Sequence, residues 1–199
     1  TGLAAMLDDT ERQHIIDEIA EEIRVCTKCP LHQGRKHAVP GEGSCMAQVM
    51  FVGEAPGYHE DQQGRPFVGQ AGQLFDNLLK RAGLNRSDIY IANILKCRPP
   101  NNRDPSPEEA AACREYLDAQ IAAVQPQVVC LMGRVPLQAL LMPSGSITRL
   151  HGCPQEKHGI IWLPLFHPAA ALHRPAYLPQ LYQDMDRLRQ LLAERSLRR

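Results

Sequence analysis

Four of the seven cysteines are arranged in two pairs that suit a metal site. Cys26 and Cys29 form a Cys-x-x-Cys motif, and Cys97 and Cys113 follow further along the chain. Four soft sulfur ligands suit either tetrahedral zinc or an iron-sulfur cluster, and their spacing does not separate the two. A redox dithiol at the first pair is a third interpretation, weakened because no strand precedes it as in a thioredoxin-like motif.

Two loops carry further groups that suit catalysis or phosphate binding. The first loop, Gly53 to Asp61, contains two glycines together with Glu54 and Glu60 and follows an apolar run. The second loop begins at His167 and also follows an apolar run. A glycine-rich turn in such a place serves either a tight turn or a phosphate cradle, and both are common. Carboxylates and a histidine at these positions make the two loops the first places to search for a site.

The elements that must position these groups alternate along the chain. Short apolar runs predict four buried strands, at Val49 to Val52, Ile89 to Leu95, Val128 to Met132 and Ile160 to Phe166. Helical spacing predicts helices over Asp9 to Arg24, Gly69 to Ala82, Glu108 to Val124, Arg134 to Leu141 and Pro179 to Glu194. We therefore expect a three-layer α/β/α fold with a central, mostly parallel four-stranded sheet, and ligands beyond the carboxyl ends of its strands.

The length and composition are those of one globular domain. The chain has 199 residues, of which 44% are hydrophobic and 22% are charged, which excludes disordered and fibrous classes. We expect a single domain over residues 1–199, with an acidic N-terminal helix in residues 1–24 packed on it. No apolar run approaches membrane-spanning length, and residues 1–20 lack a secretory signal pattern. We therefore expect no membrane contact and a cytoplasmic protein with reduced cysteines.

The charge is balanced in total but uneven along the chain. Lysine and arginine match aspartate and glutamate at 22 each, which speaks against a strongly basic nucleic-acid binder. Acidic residues concentrate in residues 1–24, however, and basic residues concentrate in residues 80–103. On charge alone the basic stretch is a solvated face, and the alternative is a surface that contacts phosphates.

Several specific motifs occur together along the chain. They are Glu-Ala-Pro-Gly at 54–57, Gly-Arg-Pro-Phe-Val-Gly at 64–69, Asn-Ile-Leu-Lys-Cys-Arg-Pro-Pro at 93–100, the four cysteines, and His-Pro at 167–168. This combination resembles the family 4 uracil-DNA glycosylases, the iron-sulfur branch of the uracil-DNA glycosylase superfamily, from about Cys26 to Pro175. The resemblance implies an enzyme of base excision repair that flips uracil out of DNA and hydrolyses its N-glycosidic bond, releasing free uracil and leaving an abasic site.

The resemblance also implies roles for individual residues in this hydrolysis. The implied catalytic residues are two carboxylates, which serve the sugar cation and the attacking water, and a histidine at the uracil carbonyl: Glu54, Glu60 and His167. The implied substrate-binding residues are Gly53, Ala55, Gly57, Phe67 and Asn93. Among them, Phe67 would stack on the flipped uracil and Asn93 would read its amide edge.

The implied partner is uracil-containing DNA, single- or double-stranded, bound by a monomer that associates with the nucleoid when on DNA. The implied DNA contacts are Arg98, Arg103, Leu172 and Arg174, with Leu172 as the wedge that fills the vacated stack. The implied cofactor is a structural [4Fe-4S] cluster held by Cys26, Cys29, Cys97 and Cys113. With these contacts we expect the basic stretch to meet phosphates, in moderate and salt-sensitive DNA binding.

Departures from related patterns leave alternatives open. Ala55 and Gly57 stand where related glycosylases have an aspartate that directs the water and a tyrosine that excludes thymine. The aspartate's task must then fall to Glu54 or Glu60. Ala169 also replaces a serine frequent after His-Pro in other branches. The alternatives are a non-cutting iron-sulfur protein of the same fold that binds DNA lesions, and a zinc-binding nucleotide-recognition module. Covalent trapping of the sugar is disfavoured, since the chain lacks the basic insertion that it requires.

Overall fold

The computed structural model describes residues 7–196, and its centre is a six-stranded sheet. The strands are β1 Glu42–Gly43, β2 Val49–Gly53, β3 Tyr90–Asn93, β4 Val128–Met132, β5 Gln155–Lys157 and β6 Ile160–Leu165. Their order is β1-β3-β2-β4-β6-β5. The four central strands run parallel, and β1 and β5 pair antiparallel with β3 and β6 at the two edges.

Helices connect the strands. They are α1 Asp9–Arg24, α2 Leu31–Gly34, α3 Tyr58–Gln63, α4 Gln70–Arg81, α5 Pro107–Val124, α6 Arg134–Leu140, α7 Ile147–Leu150, α8 Pro168–His173 and α9 Leu178–Ser196. Short 3-10 turns lie at Arg86–Asp88, Pro100–Asn102 and Pro175–Tyr177. Across residues 7–196, none of these helices combines the length and the apolar character needed to cross a membrane.

The predicted number of strands is wrong, although the predicted class is confirmed. All four predicted strands are present as the parallel centre of the sheet, and the sheet gains one short strand at each edge. The edge strands are two and three residues long and largely polar, Glu-Gly and Gln-Glu-Lys. Such segments show no apolar run or alternation, because backbone pairing with a neighbour forms them rather than burial of their side chains.

Both faces of the sheet are covered by helices, as the three-layer prediction requires. Alternate strand residues point to opposite faces. On one face, Phe51 packs with Phe75 of α4 and Leu188 of α9 in one apolar cluster. On the other face, Val52 lies in a second cluster with Leu117 of α5. Burial on both faces explains why the central strands appear in the sequence as continuous apolar runs.

The N-terminal helix is attached to α5 by a buried arginine. Arg12 Nη1 donates to the carbonyl of Val124 over 2.9 Å, and Nη2 donates to Gln125 Oε1 over 2.7 Å. Val124 ends α5, where carbonyls lack partners within the helix and a cation is favourable. The contact sets α1, which leads into Cys26, beside the helix that carries Cys113. Residues 1–6 of the predicted N-terminal helix and residues 197–199 of the predicted domain lie outside the described residues.

The Arg12 contact predicts a difference between two arginines of the same helix. We expect Arg12→Met to lower the free energy of unfolding by about 1.5–3 kcal/mol, because it removes charged hydrogen bonds and leaves the Val124 carbonyl buried without them. Arg24→Met is the control, since Arg24 is exposed and pairs with Glu21 at the surface; its effect should stay within about 0.5 kcal/mol. Denaturant unfolding followed by circular dichroism measures both. Equal losses would contradict the role of Arg12.

Candidate active site

Two connected cavities lie at the carboxyl ends of the parallel strands. The inner pocket has a volume of about 290 Å³, and five predicted site residues line it: Ala55, Glu60, Phe67, Asn93 and His167. The outer cleft has a volume of about 860 Å³ and is lined by Glu54, Gly57, Asn102 and Arg103. Ala55, Glu60, Ala71 and His167 line both cavities, so the two adjoin. The fold therefore brings the two predicted loops together.

The ring of Phe67 forms one wall of the inner pocket. It stacks on the imidazole of His167 with centroids 5.5 Å apart, and it packs on Phe75 at 5.0 Å. Its backbone is left-handed, with φ of 51°, which is rare for a bulky residue. Gly72 of α4 makes this conformation possible, because a Cβ there would lie 2.0 Å from the Phe67 carbonyl oxygen. The helix can pass the loop only with glycine at this position.

Arg86 holds the Phe67 loop from behind. Its Nη1 donates to the Phe67 carbonyl over 2.9 Å, and its Nη2 donates to the carbonyl of Pro66. The same guanidinium pairs with Glu42 and Asp76 at 3.0 and 3.1 Å. Arg86 therefore holds the loop in place and has two carboxylate partners of its own.

The basic stretch at residues 80–103 is consequently not one phosphate-contacting surface. Lys96 is fully buried, Arg86 is engaged as described, and Arg81 pairs with Asp186 at 3.0 Å. These cations have partners within the protein because the stretch runs from a surface helix into a central strand and out again. The linear charge run does not become a charged face.

Asn93 is buried at the end of β3 and faces the inner pocket. Its neighbour across the sheet is Gly53, the last residue of β2. A Cβ on Gly53 would lie 2.5 Å from Asn93 Oδ1 and 3.1 Å from the Phe67 ring. Glycine at position 53 thus leaves the space in which the amide and the ring meet.

Lys96 lies directly behind Asn93. Its Nζ donates to the Asn93 carbonyl over 2.9 Å and to Gln120 Oε1 over 2.7 Å. Burial lowers the pKa of Lys96 to about 8, and the nearby Cys113 opposes this effect. Gln120 in turn donates to the carbonyl of Pro40 over 2.7 Å. The segment from Asn93 to Lys96 is therefore fixed to α5 by a buried polar network.

Glu60 joins the two glycine-rich loops. Its Oε1 accepts the N–H of Gly57 over 3.0 Å, and its Oε2 accepts the N–H groups of Val68 and Gly69 over 3.1 and 3.2 Å. Both carboxylate oxygens are thereby occupied by backbone donors. This arrangement closes the start of α3 onto the start of α4, and it gives Glu60 a positioning role in the loops.

His167 caps α8 and faces the inner pocket in one tautomer. Its Nδ1 accepts the N–H of Ala169 over 3.0 Å, so in the neutral ring the proton resides on Nε2. Burial lowers the pKa of His167 to about 4, and the charge of Glu60 opposes this effect only in part. A neutral imidazole with an Nε2–H donor is therefore the state of this side chain at neutral pH.

Glu54 lies in the outer cleft, one residue after β2. Burial raises the pKa of this carboxyl, the charge of Asp104 raises it further, and Arg134 lowers it. Glu54 and Glu60, which the sequence did not distinguish, therefore differ in surroundings. Glu60 binds its own loops, whereas Glu54 lies among charged side chains beside the open cleft.

The four predicted cysteine ligands line one cavity of about 290 Å³, which we call the cysteine cavity. Arg35 Nη1 donates to Cys97 Sγ over 3.4 Å and to the carbonyl of Cys26 over 2.7 Å. Burial raises the pKa of the Cys97 thiol and raises that of Cys113 to about 11. In residues 7–196, no group of three or more cysteine, histidine or acidic side chains is placed to hold a single metal ion.

The four predicted DNA contacts lie outside the inner pocket. Arg98 stands over the Tyr58 ring at 5.4 Å, and Arg103 binds the buried Glu109 at 2.7 Å. Leu172 of α8 is 45% exposed, and Arg174 is also exposed. The sequence prediction thus names two arginines beside the cysteine-bearing loop and two residues on or next to α8. Their contacts with DNA stay predictions.

A comparison with protein families identifies the family to which the chain with this site belongs. The family model described as the uracil DNA glycosylase superfamily matches residues 40–186, which include both loops and the whole sheet. The chain belongs to the uracil DNA glycosylase superfamily. The Type-4 uracil-DNA glycosylase of Sulfurisphaera tokodaii is 44% identical over 185 residues, covering 88% of this chain and 84% of that protein. That of Archaeoglobus fulgidus is 41% identical, covering 90% of this chain and 94% of that protein. The predicted resemblance to family 4 is confirmed.

Sequence reasoning missed several residues that position the site of this superfamily member. Gly72 carried a signal, because a glycine inside a helical pattern indicates a close approach of backbone. Lys96 also carried one, because a lysine directly after an apolar strand run needs partners if it is buried. No sequence signal marked Arg86, Asp104 or Arg134, since their partners lie far away in the chain.

The tautomer and pKa of His167 give a prediction that nitrogen NMR can check. We expect the ring to remain neutral and protonated on Nε2 from about pH 5 to about pH 8, because burial disfavours the imidazolium. Histidine labelled with ¹⁵N, with the signal assigned by its loss in His167→Gln, reports both properties. A titration midpoint above about pH 6, or a proton on Nδ1, would show that this description of the pocket is wrong.

Proposed function

We propose that this chain is a monofunctional uracil-DNA glycosylase that flips uracil out of DNA and hydrolyses its N-glycosidic bond, leaving an abasic site. The inner pocket is the observation that carries the proposal. An aromatic ring, a buried amide and a neutral imidazole meet there in a space suited to one flipped base. The relatives named Type-4 uracil-DNA glycosylase support the same function.

We assign base recognition to Phe67 and Asn93. The Phe67 ring would stack on the flipped uracil, and the Asn93 amide would pair with its polar edge, since an amide supplies one donor and one acceptor group. The backbone of Phe67 is held by Arg86 and lies against Gly72, and the backbone carbonyl of Asn93 is held by Lys96. The site would therefore meet the base with its recognition groups already in place.

We assign stabilisation of the leaving group to His167. Cleavage of the bond from the sugar to uracil leaves negative charge on the base, and a fixed donor near a carbonyl oxygen of uracil stabilises that charge as it develops. The Nε2–H of the neutral ring is such a donor. Because Nδ1 is engaged by Ala169, the ring orientation does not need to change during the reaction.

We assign the attacking water and the sugar cation to Glu54. Positive charge develops on the sugar as the bond breaks, and an ionised carboxylate stabilises it while accepting a hydrogen bond from water. Glu54 lines the outer cleft, where the deoxyribose of a base held in the inner pocket would lie. We assign Glu60 to the folding of the loops around the site, because its oxygens are taken by backbone donors.

We propose that the cysteine cavity holds a [4Fe-4S] cluster through Cys26, Cys29, Cys97 and Cys113. Four thiols around one cavity fit such a cluster, which cysteine thiolates hold. Zinc would instead require the four sulfurs to converge at about 2.3 Å from a single ion. When bound, the cluster would link the segment after α1 to the Cys97 loop and to α5.

The proposed reaction predicts a sharp loss on replacement of one carboxylate. Wild-type protein should release uracil from single- or double-stranded DNA, and Glu54→Gln should lower the single-turnover rate by about 10²–10⁴-fold with DNA binding nearly intact. Glu108→Gln is the control, because Glu108 is an exposed carboxylate at the start of α5. No abasic product from wild type under any condition would overturn the function and favour a non-cutting DNA-binding protein. An unchanged rate in Glu54→Gln would remove Glu54 from the mechanism.

The proposed cofactor predicts a brown protein with roughly four irons per chain after anaerobic purification. Cys97→Ala should lose the colour and the iron and unfold at lower temperature, because the link between three segments is lost. Cys153→Ala is the control, since Cys153 is exposed and lies outside the cysteine cavity. Iron analysis, visible absorbance and thermal unfolding report the result. A colourless protein with bound zinc would reject the cluster.

A further inference from the structure

The edge of the outer cleft carries the only exposed aromatic side chain in residues 7–196. Tyr58 is 53% exposed, whereas every other phenylalanine, tyrosine and tryptophan in this range is buried or half-buried. Tyr58 begins α3 and directly follows Gly57, which lines the outer cleft. The tyrosine therefore stands one residue from the wall of the cleft.

We propose that Tyr58 is a stacking site for the nucleobase next to the uracil, on the same strand, when the DNA is single-stranded. The inference rests on the proposed function, which places the uracil in the inner pocket and its sugar in the outer cleft. The next nucleotide of the strand must then leave the cleft across its edge. An aromatic ring accepts any base there, because every base has a π-face.

Arg98 joins the tyrosine to the wall of the cleft. Its guanidinium carbon lies 5.4 Å from the centroid of the Tyr58 ring, within the range of a cation–π contact. Its Nε donates to Asn102 Oδ1 over 2.8 Å, and Asn102 lines the outer cleft. Direct contacts thus run from the ring through the arginine to the cleft, which holds the ring at this edge.

The loop that carries Arg98 has a constrained backbone. Pro99 and Pro100 follow the arginine, and proline fixes φ at both positions. Asn101 and Asn102 have left-handed φ values of 54° and 55°, and the N–H of Asn102 donates to the Pro99 carbonyl over 3.1 Å. The arginine therefore reaches the tyrosine from a turn with little freedom to move.

The surroundings of the ring suit a nucleic acid strand. Within residues 7–196, Arg98 forms no ion pair with an acidic side chain, so its charge is available to phosphates. Arg103 nearby is instead paired with Glu109. A groove of about 600 Å³ adjoins the outer cleft, since Pro99 and Arg103 line both, and Arg98 also lines this groove. A strand that leaves the cleft would find open space and positive charge beside Tyr58.

The competing interpretation is an ordinary surface tyrosine that packs on a neighbouring arginine. Single exposed apolar residues are common on protein surfaces. Such a residue would act on excision only through the fold of α3, which carries Glu60, and would affect every DNA substrate alike. A stacking site responds instead to whether one particular base is present. It acts mainly on single strands, because a paired neighbour in a duplex keeps its own stack.

The test compares kcat/KM for uracil excision from single strands of about 15 nucleotides with one central uracil. Each of the two nucleotides on either side is replaced in turn by a tetrahydrofuran unit, which keeps the backbone and removes the base. In wild type, one of these replacements should lower kcat/KM by about 5-fold or more. The same replacement should have less than about a 2-fold effect in Tyr58→Leu, because the partner ring is gone. Tyr58→Phe should keep the wild-type dependence.

Tyr182→Leu is the matched control. Arg81 lies over the Tyr182 ring at 4.8 Å, so this is also a tyrosine paired with an arginine, and neither residue lines the outer cleft. Tyr182→Leu should keep the wild-type dependence on the flanking base. Tyr58→Leu should also lower excision from single strands more than excision from duplex DNA.

Three results would overturn the inference. They are no effect of any flanking base in wild type, the same effect in wild type and Tyr58→Leu, and equal losses on single-stranded and duplex DNA. If Tyr58→Leu does not fold, the indole introduced by Tyr58→Trp reports the contact. Its fluorescence should be quenched more by a strand that contains the flanking base than by one that lacks it, and equal quenching would contradict stacking.

The proposed function can fail separately from this inference. Wild type that binds these strands without excising uracil would refute the glycosylase activity. The dissociation constants of the same substrate series would then test the stacking site, with the same loss expected for one flanking base in wild type and not in Tyr58→Leu.

Discussion

The ammonium group of Lys96 is enclosed by protein, and its hydrogen bonds to Asn93 and Gln120 determine the path of the chain around it. A buried charge without partners would be very costly, so the chain from Asn93 to Cys97 has little freedom to move. In this five-residue segment, Asn93 faces the inner pocket at one end and Cys97 lines the cysteine cavity at the other. Gln120 joins both to α5. The base-sized pocket and the cysteine cavity therefore share one polar support.

The two cavities at the strand ends differ in chemical character. The inner pocket presents an aromatic ring, an amide and a neutral imidazole, whereas the outer cleft presents Glu54 with charged neighbours. Hydrolysis of a glycosidic bond needs both environments, because the base leaves as an anion while the sugar becomes a cation. The separation follows from the fold, since β3 and α8 supply the neutral groups and the ends of β2 and β4 supply the charged ones.

Features that depend on a segment's own residues were predicted from the sequence, whereas features that depend on distant partners were not. The central strands and long helices were predicted because they bury their own apolar residues, and the motifs identified every side chain of the inner pocket except Ala71 and Gly72. The edge strands were missed because pairing with neighbours forms them. The roles of Arg86 and Lys96 were missed because a charge in a sequence does not reveal its partner. The roles of Glu54 and Glu60 could be distinguished only from the structure, in which three backbone N–H groups donate to the Glu60 carboxylate.

The left-handed backbone of Phe67 affects how the pocket meets its ligand. The conformation is unfavourable for a phenylalanine in isolation, and contacts with Arg86 and α4 maintain it in the free protein. The entropy of ordering this ring is consequently lost when the protein folds, not when a base arrives. A base that enters the pocket meets a fixed surface, so a poor fit cannot be relieved by movement of the ring. Selectivity then rests on the rigidity of a loop as much as on the groups it carries.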